Sequence, residues 1–175
     1  DATSTDIDIY NDFVNEAAAL NTDLAWAGEW AAIASTDSVN ALTNTSTTGT
    51  GVPIYLLNDT LFAADYTTLW TTNAKPSLNI TEQGVIGGTS LVWTGTGPDG
   101  STSSGGLGVA EPRAGKSDVT SGQNQSWWIT RINRPTNTET LSLYAISGIL
   151  TVPEPSSTAL LGLGLSSLLL RRRRS

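Results

Sequence analysis

Residues 91–96 read Leu-Val-Trp-Thr-Gly-Thr and form the segment of highest β propensity in the chain. Because β-branched and aromatic side chains suit a pleated, half-buried surface, this segment is predicted to be a strand. Outward from it, Pro53–Leu57 and Leu61–Ala63 flank an Asn-Asp-Thr turn, which predicts a hairpin. Leu141–Ser147 alternates apolar and polar residues and predicts a closing strand. The sequence therefore predicts a sheet.

Two helical segments accompany these strands. Residues 6–20 are predicted to form a helix whose apolar face carries Ile9, Phe13 and Leu20, at helical spacing through Glu16 or Ala17. Thr5 or Asp6 is expected to cap its start, with Asp8 in the favourable first turn. Asp65–Trp70 is predicted to be one helical turn with Leu69 and Trp70 directed inward.

The connecting segments are less regular. Leu24–Ala34 fits either a short helix or a strand, and we favour a strand over Trp30–Ala34, with Trp26 and Trp30 as core residues. Residues 97–125 are rich in Gly, Ser and Pro and are predicted to be one long loop, a length that is usually functional or mobile.

The charge of the chain is strongly asymmetric. The formal net charge is −7, yet four of the nine basic residues are arginines at the extreme C-terminus. Residues 1–152 carry fifteen acids against five bases, a balance of −10. Such a surface repels nucleic acid and anionic lipid, so nucleic acid is excluded as a partner. The five bases are Lys75, Arg113, Lys116, Arg131 and Arg134.

The chain contains no Cys and no His. It therefore has no disulfide framework and no thiolate, and it lacks the commonest metal ligand and general base. Asp6, Asp8 and Asp12 do not form a calcium loop, because the glycine turn and closing Glu are missing, and are interpreted as acids at a helix start. We expect no cofactor and no bound metal.

An enzymatic function is a weaker alternative. A pair of carboxylates can hydrolyse a glycosidic bond without other groups. The available acids lie in turns and loops, where solvation is the default, so no catalytic residue is assigned. These acids are Asp65, Glu82, Asp99, Glu111 and Asp118.

The C-terminal segment, residues 152–175, has three parts in fixed order. Two prolines make the first part an extended link that cannot join a helix. An uncharged apolar run over 156–170 follows; as a helix it spans roughly 22 Å, short for a bilayer core of roughly 30 Å. Four arginines then favour the cytoplasmic side. The link is Val152, Pro153, Glu154 and Pro155; the predicted membrane segment is Ser156 with Ala159, Leu160, Leu161, Leu163, Leu165, Leu168, Leu169 and Leu170; the predicted cytoplasmic anchor is Arg171, Arg172, Arg173 and Arg174.

These three parts resemble the PEP-CTERM sorting signal of exopolysaccharide-producing Gram-negative bacteria. The resemblance implies transient contact with the inner membrane and with an exosortase, which cleaves near the Pro-Glu-Pro motif and passes the protein to the envelope or outside. Export also requires a signal peptide, and the Asp1-Ala2-Thr3-Ser4 start is none, so we expect trimming at the front. A plain C-terminal anchor is the open alternative.

Residues 26–150 carry a second resemblance. The order is a Trp-bearing strand, the hairpin, an Asp-Tyr-x-x-Leu-Trp turn, a Val-Trp-Thr-Gly-Thr strand, a Trp-bearing turn and a Leu-Tyr-Ala-Ile strand. It resembles the endostatin-like branch of the C-type-lectin-like fold, which implies an α+β domain over 1–150 with a mixed sheet, one or two helices and a long loop. The C-terminal hydrophobic helix would be separate from it.

The second resemblance does not bring a sugar site. Calcium-dependent lectins place Glu-Pro-Asn or Gln-Pro-Asp in the long loop, whereas this chain has Glu111-Pro112-Arg113, a cation where a ligand is needed. We therefore expect a non-enzymatic surface binding or adhesion module, with exopolysaccharide or other surface proteins as candidate partners. A structural coat or matrix component without a specific ligand is the alternative.

Overall fold

Short strands and a 13-residue helix build the part of the chain that a computed structural model describes, which is residues 1–24, 27–71, 75–88, 90–102, 104–119, 124–131 and 135–151. The predicted α+β class is confirmed. The helices are α1 (Ile7–Ala19), α2 (Ala41–Asn44), α3 (Tyr66–Leu69) and a 3₁₀ helix (Gln125–Trp128). The strands are β1 (Trp30–Ala32), β2 (Ile54–Tyr55), β3 (Leu61–Ala63), β4 (Leu91–Trp93), β5 (Ala114–Lys116), β6 (Ser142–Leu143) and β7 (Ala145–Ser147).

Strand β4 lies at the centre of a mixed three-stranded sheet. It pairs antiparallel with β5 and parallel with β6, in the order β5-β4-β6. The strand predicted at 91–96 is confirmed, but its regular pairing ends at Trp93. Gly95 then takes a φ of +60°, where a Cβ would collide with the carbonyl oxygen of Ser35. Only glycine fits this bend.

The predicted hairpin and the predicted strand within residues 30–34 are both present. β2 and β3 form the predicted antiparallel hairpin, with Ile54 opposite Ala63. Asp59 closes its turn at a φ of +62°, a conformation that Asp tolerates better than most residues. β1 falls within the predicted 30–34 and pairs antiparallel with β7, with Trp30 opposite Ser147.

The prediction of one long loop over 97–125 is wrong in part, because β5 lies within it. Ala-Gly-Lys has little intrinsic β propensity, so the strand exists through its pairing with β4. Gly115 lies opposite Val92, and a Cβ there would meet the carbonyl of Trp128. A residue that looks like a loop glycine instead permits close packing.

The single closing strand predicted over Leu141–Ser147 is also corrected. It divides into β6 and β7, which pair with β4 and β1 respectively. The predicted alternation nevertheless holds through the division. Leu141 and Leu143 pack on one apolar cluster, whereas Tyr144 and Ile146 pack on the other.

Two apolar clusters lie on opposite faces of β4, as the alternation of side chains requires. Val92 belongs to the first, the Trp128 cluster, in which Phe62, Trp70 and Tyr144 surround Trp128. The inward positions predicted for Leu69 and Trp70 are confirmed. Trp93 belongs to the second, the α1 cluster, which is Ala2, Ile7, Tyr10, Val14, Ala32, Ala34, Trp93, Leu107 and Ala114.

Helix α1 forms where it was predicted but presents a different face to the core. Asp6 is the N-cap and accepts a hydrogen bond from the Asp8 N–H at 3.1 Å. The buried positions are Ile7, Tyr10, Val14 and Ala18. The predicted face is wrong, because Ile9, Phe13 and Leu20 are more than half exposed.

Besides its apolar contacts, α1 is attached to β1 by the side-chain amides of asparagines. Asn15 donates to the carbonyl of Trp30 at 2.7 Å and accepts from its N–H at 2.8 Å. Asn11 accepts from the N–H of Ala32 at 3.0 Å, while Asn44 donates to the carbonyl of Ala32 at 2.8 Å. Side-chain amides thus bond the β1 edge that faces away from β7, and they set the rotation of α1.

Candidate functional site

The predicted sorting residues begin where the described chain stops. Val152–Pro155, the apolar run 156–170 and Arg171–Arg174 all lie outside the described residues. β7 ends at Ser147, and the N–H of Gly148 still donates to the carbonyl of Glu29 at 3.3 Å. Residues 149–151, called the exit arm here, follow outside any helix or strand, with Ile149 62% and Leu150 43% exposed. The exit arm, which leads into the tail, is therefore accessible to solvent.

A membrane-spanning helix is not seen in the part of the chain that the structure describes, where each helix is too short or too polar to cross a bilayer. The predicted membrane helix over 156–170 falls outside that part.

The surface beside α1 contains an apolar groove of about 280 Å³. Ile9 and Phe13 form one wall, at 54% and 55% exposure, and the nearly buried Trp93 also lines it. Two leucines of the closing segment and three residues of the chain start complete the lining. The full set is Asp1, Thr3, Ser4, Ile9, Tyr10, Phe13, Trp93, Leu141 and Leu143.

Hydrogen bonds hold the polar side of this groove, the chain start, in place. Ala2 donates its N–H to the carbonyl of Asn137 at 2.7 Å and accepts from Gly108 at 2.9 Å, which fixes the chain start. The hydroxyl of Tyr10 donates to the carbonyl of Ser4 at 2.7 Å. Burial raises the pKa of Tyr10, against the smaller lowering by this hydrogen bond, so the phenol stays neutral at physiological pH. The groove is therefore a built feature of the fold.

The helix sequence contains a signal that could have revealed the groove. Positions 7, 10, 14 and 18 satisfy a helical period as well as positions 9, 13 and 20 do. A helix with two apolar stripes can bury only one against a single sheet. The remaining stripe indicates either a second contact or an exposed apolar surface.

Two of the acids considered for hydrolysis, Asp65 and Asp99, stabilise local turns, and a third, Asp118, bonds a residue distant in sequence. Asp65 accepts the N–H of Thr68 at 2.6 Å as the N-cap of α3, and this bond lowers the pKa of Asp65. Asp99 accepts the hydroxyl of Ser101 at 2.6 Å, which lowers the pKa of Asp99. Asp118 accepts the hydroxyl of Ser77 at 2.8 Å. Lowered pKa values favour the ionised form, opposite to what a general acid needs.

Among the residues that the structure describes, no three or more His, Cys, Asp or Glu side chains form a group able to hold a metal ion. Asp6 and Asp8 have the capping and first-turn positions predicted for them, and Asp12 is exposed further along α1.

Glu111-Pro112-Arg113 runs beside the continuation of β4. The carbonyl of Arg113 accepts the N–H of Gly95 at 3.0 Å, and its guanidinium donates to the hydroxyl of Thr130 at 3.0 Å. Pro112 is fully buried. Arg113 thus extends the pairing of β4 with β5, Pro112 is enclosed, and Glu111 is exposed.

Sequence reasoning did not single out Lys75 as a special residue. It is only 8% exposed, and its ammonium lies 5.9 Å from the ring centroid of Trp128. Its Nζ donates to the carbonyl of Thr71 at 2.9 Å. Burial lowers the pKa of Lys75 to about 8. Nothing in the sequence distinguishes this lysine, because its burial depends on contacts with distant residues.

Comparisons with known proteins bear on the tail. The search of curated proteins and the search of solved structures each returned no match. A comparison with protein families matches residues 151–174 to the PEP-CTERM protein-sorting motif. The range runs over the Pro-Glu-Pro link, the apolar run and the arginines, while the roles of single residues there stay predictions. The tail of this chain thus carries a PEP-CTERM sorting motif, which indicates export through the exosortase system, with processing at the membrane, to the cell envelope or the outside.

Proposed function

We propose that the domain over residues 1–150 is a non-enzymatic binding module displayed at the envelope or in the extracellular matrix. Its partner is a protein segment that inserts an apolar side chain into the groove beside α1. The observation that carries this proposal is the pair Ile9 and Phe13, more than half exposed on a protein that carries an export motif. Burial of such side chains in a partner is worth up to about 1.5–3 kcal/mol each.

The charge around the groove specifies the partner further. Asp1 lines the groove, and the exposed Asp8 and Asp12 directly precede the wall residues Ile9 and Phe13 in the sequence. No Lys or Arg precedes Lys75 in the chain. The fitting partner is therefore a segment in which Lys or Arg flanks the apolar residue, and charge attraction would accelerate their encounter.

The alternatives make less use of these observations. A structural coat or exopolysaccharide-matrix component without a ligand leaves the exposed apolar pair unused. A carboxylate-based hydrolase would need paired acids, whereas Asp65 and Asp99 serve local turns. We therefore propose a domain without enzymatic activity.

For the fold, we propose the C-type-lectin-like architecture of the endostatin-like branch. Support comes from the mixed sheet around β4, the helix α1 packed against β1, and the long connection that follows β4. A determined structure compared with members of that fold would test it.

The functional proposal is tested with purified domain and envelope or matrix material from the producing cells. The Ile9→Ser, Phe13→Ser double variant is expected to bind at least about tenfold more weakly than wild type. High salt is expected to weaken wild-type binding, because screening removes the charge attraction. Leu20→Ser, which changes an exposed apolar residue at the end of α1, is the matched control and is expected to bind normally.

The nature of the target separates the alternatives. Protease treatment of the material should abolish binding by a groove that takes a protein segment. Binding that survives protease but is lost after periodate oxidation identifies exopolysaccharide as the ligand and contradicts the proposal. Failure of wild type to bind at all favours the coat component.

A further inference from the structure

The exit arm carries two apolar side chains that the domain leaves outside its cores. Ile149 and Leu150 are adjacent, 62% and 43% exposed, and immediately precede the range that matches the sorting motif. Neither belongs to the Trp128 cluster or to the α1 cluster. Because both side chains remain in contact with water, they do not contribute the stabilisation that burial of apolar surface would give.

The position of this pair is set by the chain that follows it. Pro153 and Pro155 bias the link toward an extended conformation of about 3.1 Å per residue. At this rise per residue, Leu150 is expected about 9 Å from Pro153 and about 19 Å from Ser156, where the predicted apolar run begins. The pair is expected within reach of an enzyme that holds the Pro-Glu-Pro link, and about twice as far from the segment predicted to enter the bilayer.

The conformation of the arm suits the same partner. A segment bound in an extended conformation directs successive side chains to opposite sides, so two adjacent residues can fill pockets on the two sides of a binding cleft. Residues 149–151 are outside helix and strand and are exposed, so the arm can adopt this conformation without disturbing β7. Within the residues that the structure describes, the hydrogen bond from the Gly148 N–H to the Glu29 carbonyl is the last backbone hydrogen bond before the arm.

We propose that Ile149 and Leu150 form an upstream recognition element for the exosortase, filling apolar subsites before the Pro-Glu-Pro link. The recognised segment then begins on the folded domain, ahead of the sorting motif itself. This proposal rests on the sorting motif and is independent of the binding role of the groove.

The experiment uses the full chain, supplied with an export signal, in a Gram-negative host with an exosortase. The processed fraction is followed over time, with the mass of the mature C-terminus. Ile149→Ser with Leu150→Ser is expected to slow processing at least about tenfold, as the loss of two buried aliphatic contacts predicts. The conservative Ile149→Val, Leu150→Ile variant is expected to restore it.

The chain offers a matched control in Val85 and Ile86, another adjacent aliphatic pair, at 61% and 71% exposure. Val85→Ser with Ile86→Ser should leave processing unchanged. Equal slowing by both pairs, or normal processing of the Ile149, Leu150 variant, would overturn the proposal. Reduced binding of that variant to lipid vesicles, with normal processing, would assign the pair to the membrane instead.

Further variants distinguish failure of the upstream element from failure of the sorting role of the tail. Changing Pro153, Glu154 and Pro155 to Ala should abolish processing altogether. If wild-type protein in extracellular material still carries Arg171–Arg174, the tail is a plain anchor. This result would overturn both the sorting conclusion and the proposed upstream element. Processing that depends on the Pro-Glu-Pro link but not on the arm overturns the upstream element alone.

Discussion

The two faces of strand β4 are covered in different ways. On the Val92 face, Trp128 packs edge-on against Phe62 with ring centroids 5.4 Å apart, while Trp70 and Tyr144 close the cluster at 6.0 and 6.1 Å. On the Trp93 face, α1 covers the strand but leaves the groove open. We therefore expect the Val92 side of the sheet, the closed face, to serve stability, and we propose that the Trp93 side, the open face, also provides a surface for a partner.

The largest expected effect comes from truncating Trp128, the residue at the centre of the closed face. Trp128→Ala is expected to lower the free energy of unfolding by about 3–5 kcal/mol, because a 2% exposed aromatic side chain leaves a cavity. Urea titration followed by circular dichroism measures the change. A loss below about 1 kcal/mol would mean that the cluster collapses around the cavity and is not tightly packed.

The next effect concerns the attachment of α1 on the open face. Asn15→Ala is expected to cost about 1–3 kcal/mol, since the N–H and carbonyl of Trp30 both lose their partner. Asn21→Ala removes a more exposed amide bond to the carbonyl of Glu82 and is the matched control, with an effect near zero. Equal effects from the two variants would show that packing alone holds the helix.

Lys75 provides a pH-dependent test of the closed face. Because the pKa falls from 10.5 to about 8 on burial, the unfolded chain binds more protons than the folded state between these values. Stability is therefore expected to rise with pH, by about 1–3 kcal/mol in total, starting near pH 8. The rise is best measured from about pH 7 to pH 9.5, below the ordinary ionisation of tyrosine.

Lys75→Met is the control for this pH dependence. The variant keeps an unbranched side chain at this buried position and loses the titrating amine, so the rise should disappear. A rise that persists in Lys75→Met must come from other groups.

Phe13 and Val14 are adjacent on α1, but Phe13 is exposed in the groove wall and Val14 is buried, so the two residues test which side of the helix belongs to the core. Phe13→Ser is expected to change stability by about 1 kcal/mol or less, whereas Val14→Ala, one position on, should cost about 2 kcal/mol. Thermal unfolding of both variants measures the contrast. A larger loss from Phe13→Ser would mean that the groove wall belongs to the core.

The smallest expected effect tests whether the tail covers the open face. Truncation after Thr151 should change the free energy of unfolding by less than about 1 kcal/mol, because both clusters lie within residues 1–150. A cooperative transition in the truncated domain is expected. Marked destabilisation would indicate that the apolar run packs on the domain, for example in the groove.

Local sequence signals predicted most of the elements. The hairpin was recognisable from its turn, α1 from its cap and period, and β4 from its β propensity. β5 was not recognisable, because Ala-Gly-Lys becomes a strand only through β4. The split of the closing strand was hidden for a related reason, since pairing with two partners leaves the alternation of Leu143, Tyr144 and Ile146 intact.

The candidate sites were less accessible from the sequence. The tail needed no structure, because its signal lies in the order of a proline link, an apolar run and arginines. The groove was missed because a hydrophobic period states that a helix has an apolar face and not which of two faces is buried. The position of Asn11 and Asn15 decides that question, and amides in a helix give no indication of their distant partners.

The amides of Asn11 and Asn15 also determine how β1 behaves when many copies of the protein are crowded together. Free strand edges promote cross-β aggregation, whereas β1 has β7 on one edge and side-chain amides on the other. This protection depends on an amide that can hydrolyse with age. Conversion of Asn15 to Asp would remove the donor to Trp30 and place a carboxylate against its carbonyl, so chemical ageing at one residue would expose the Trp30 end of this edge to strands from other copies.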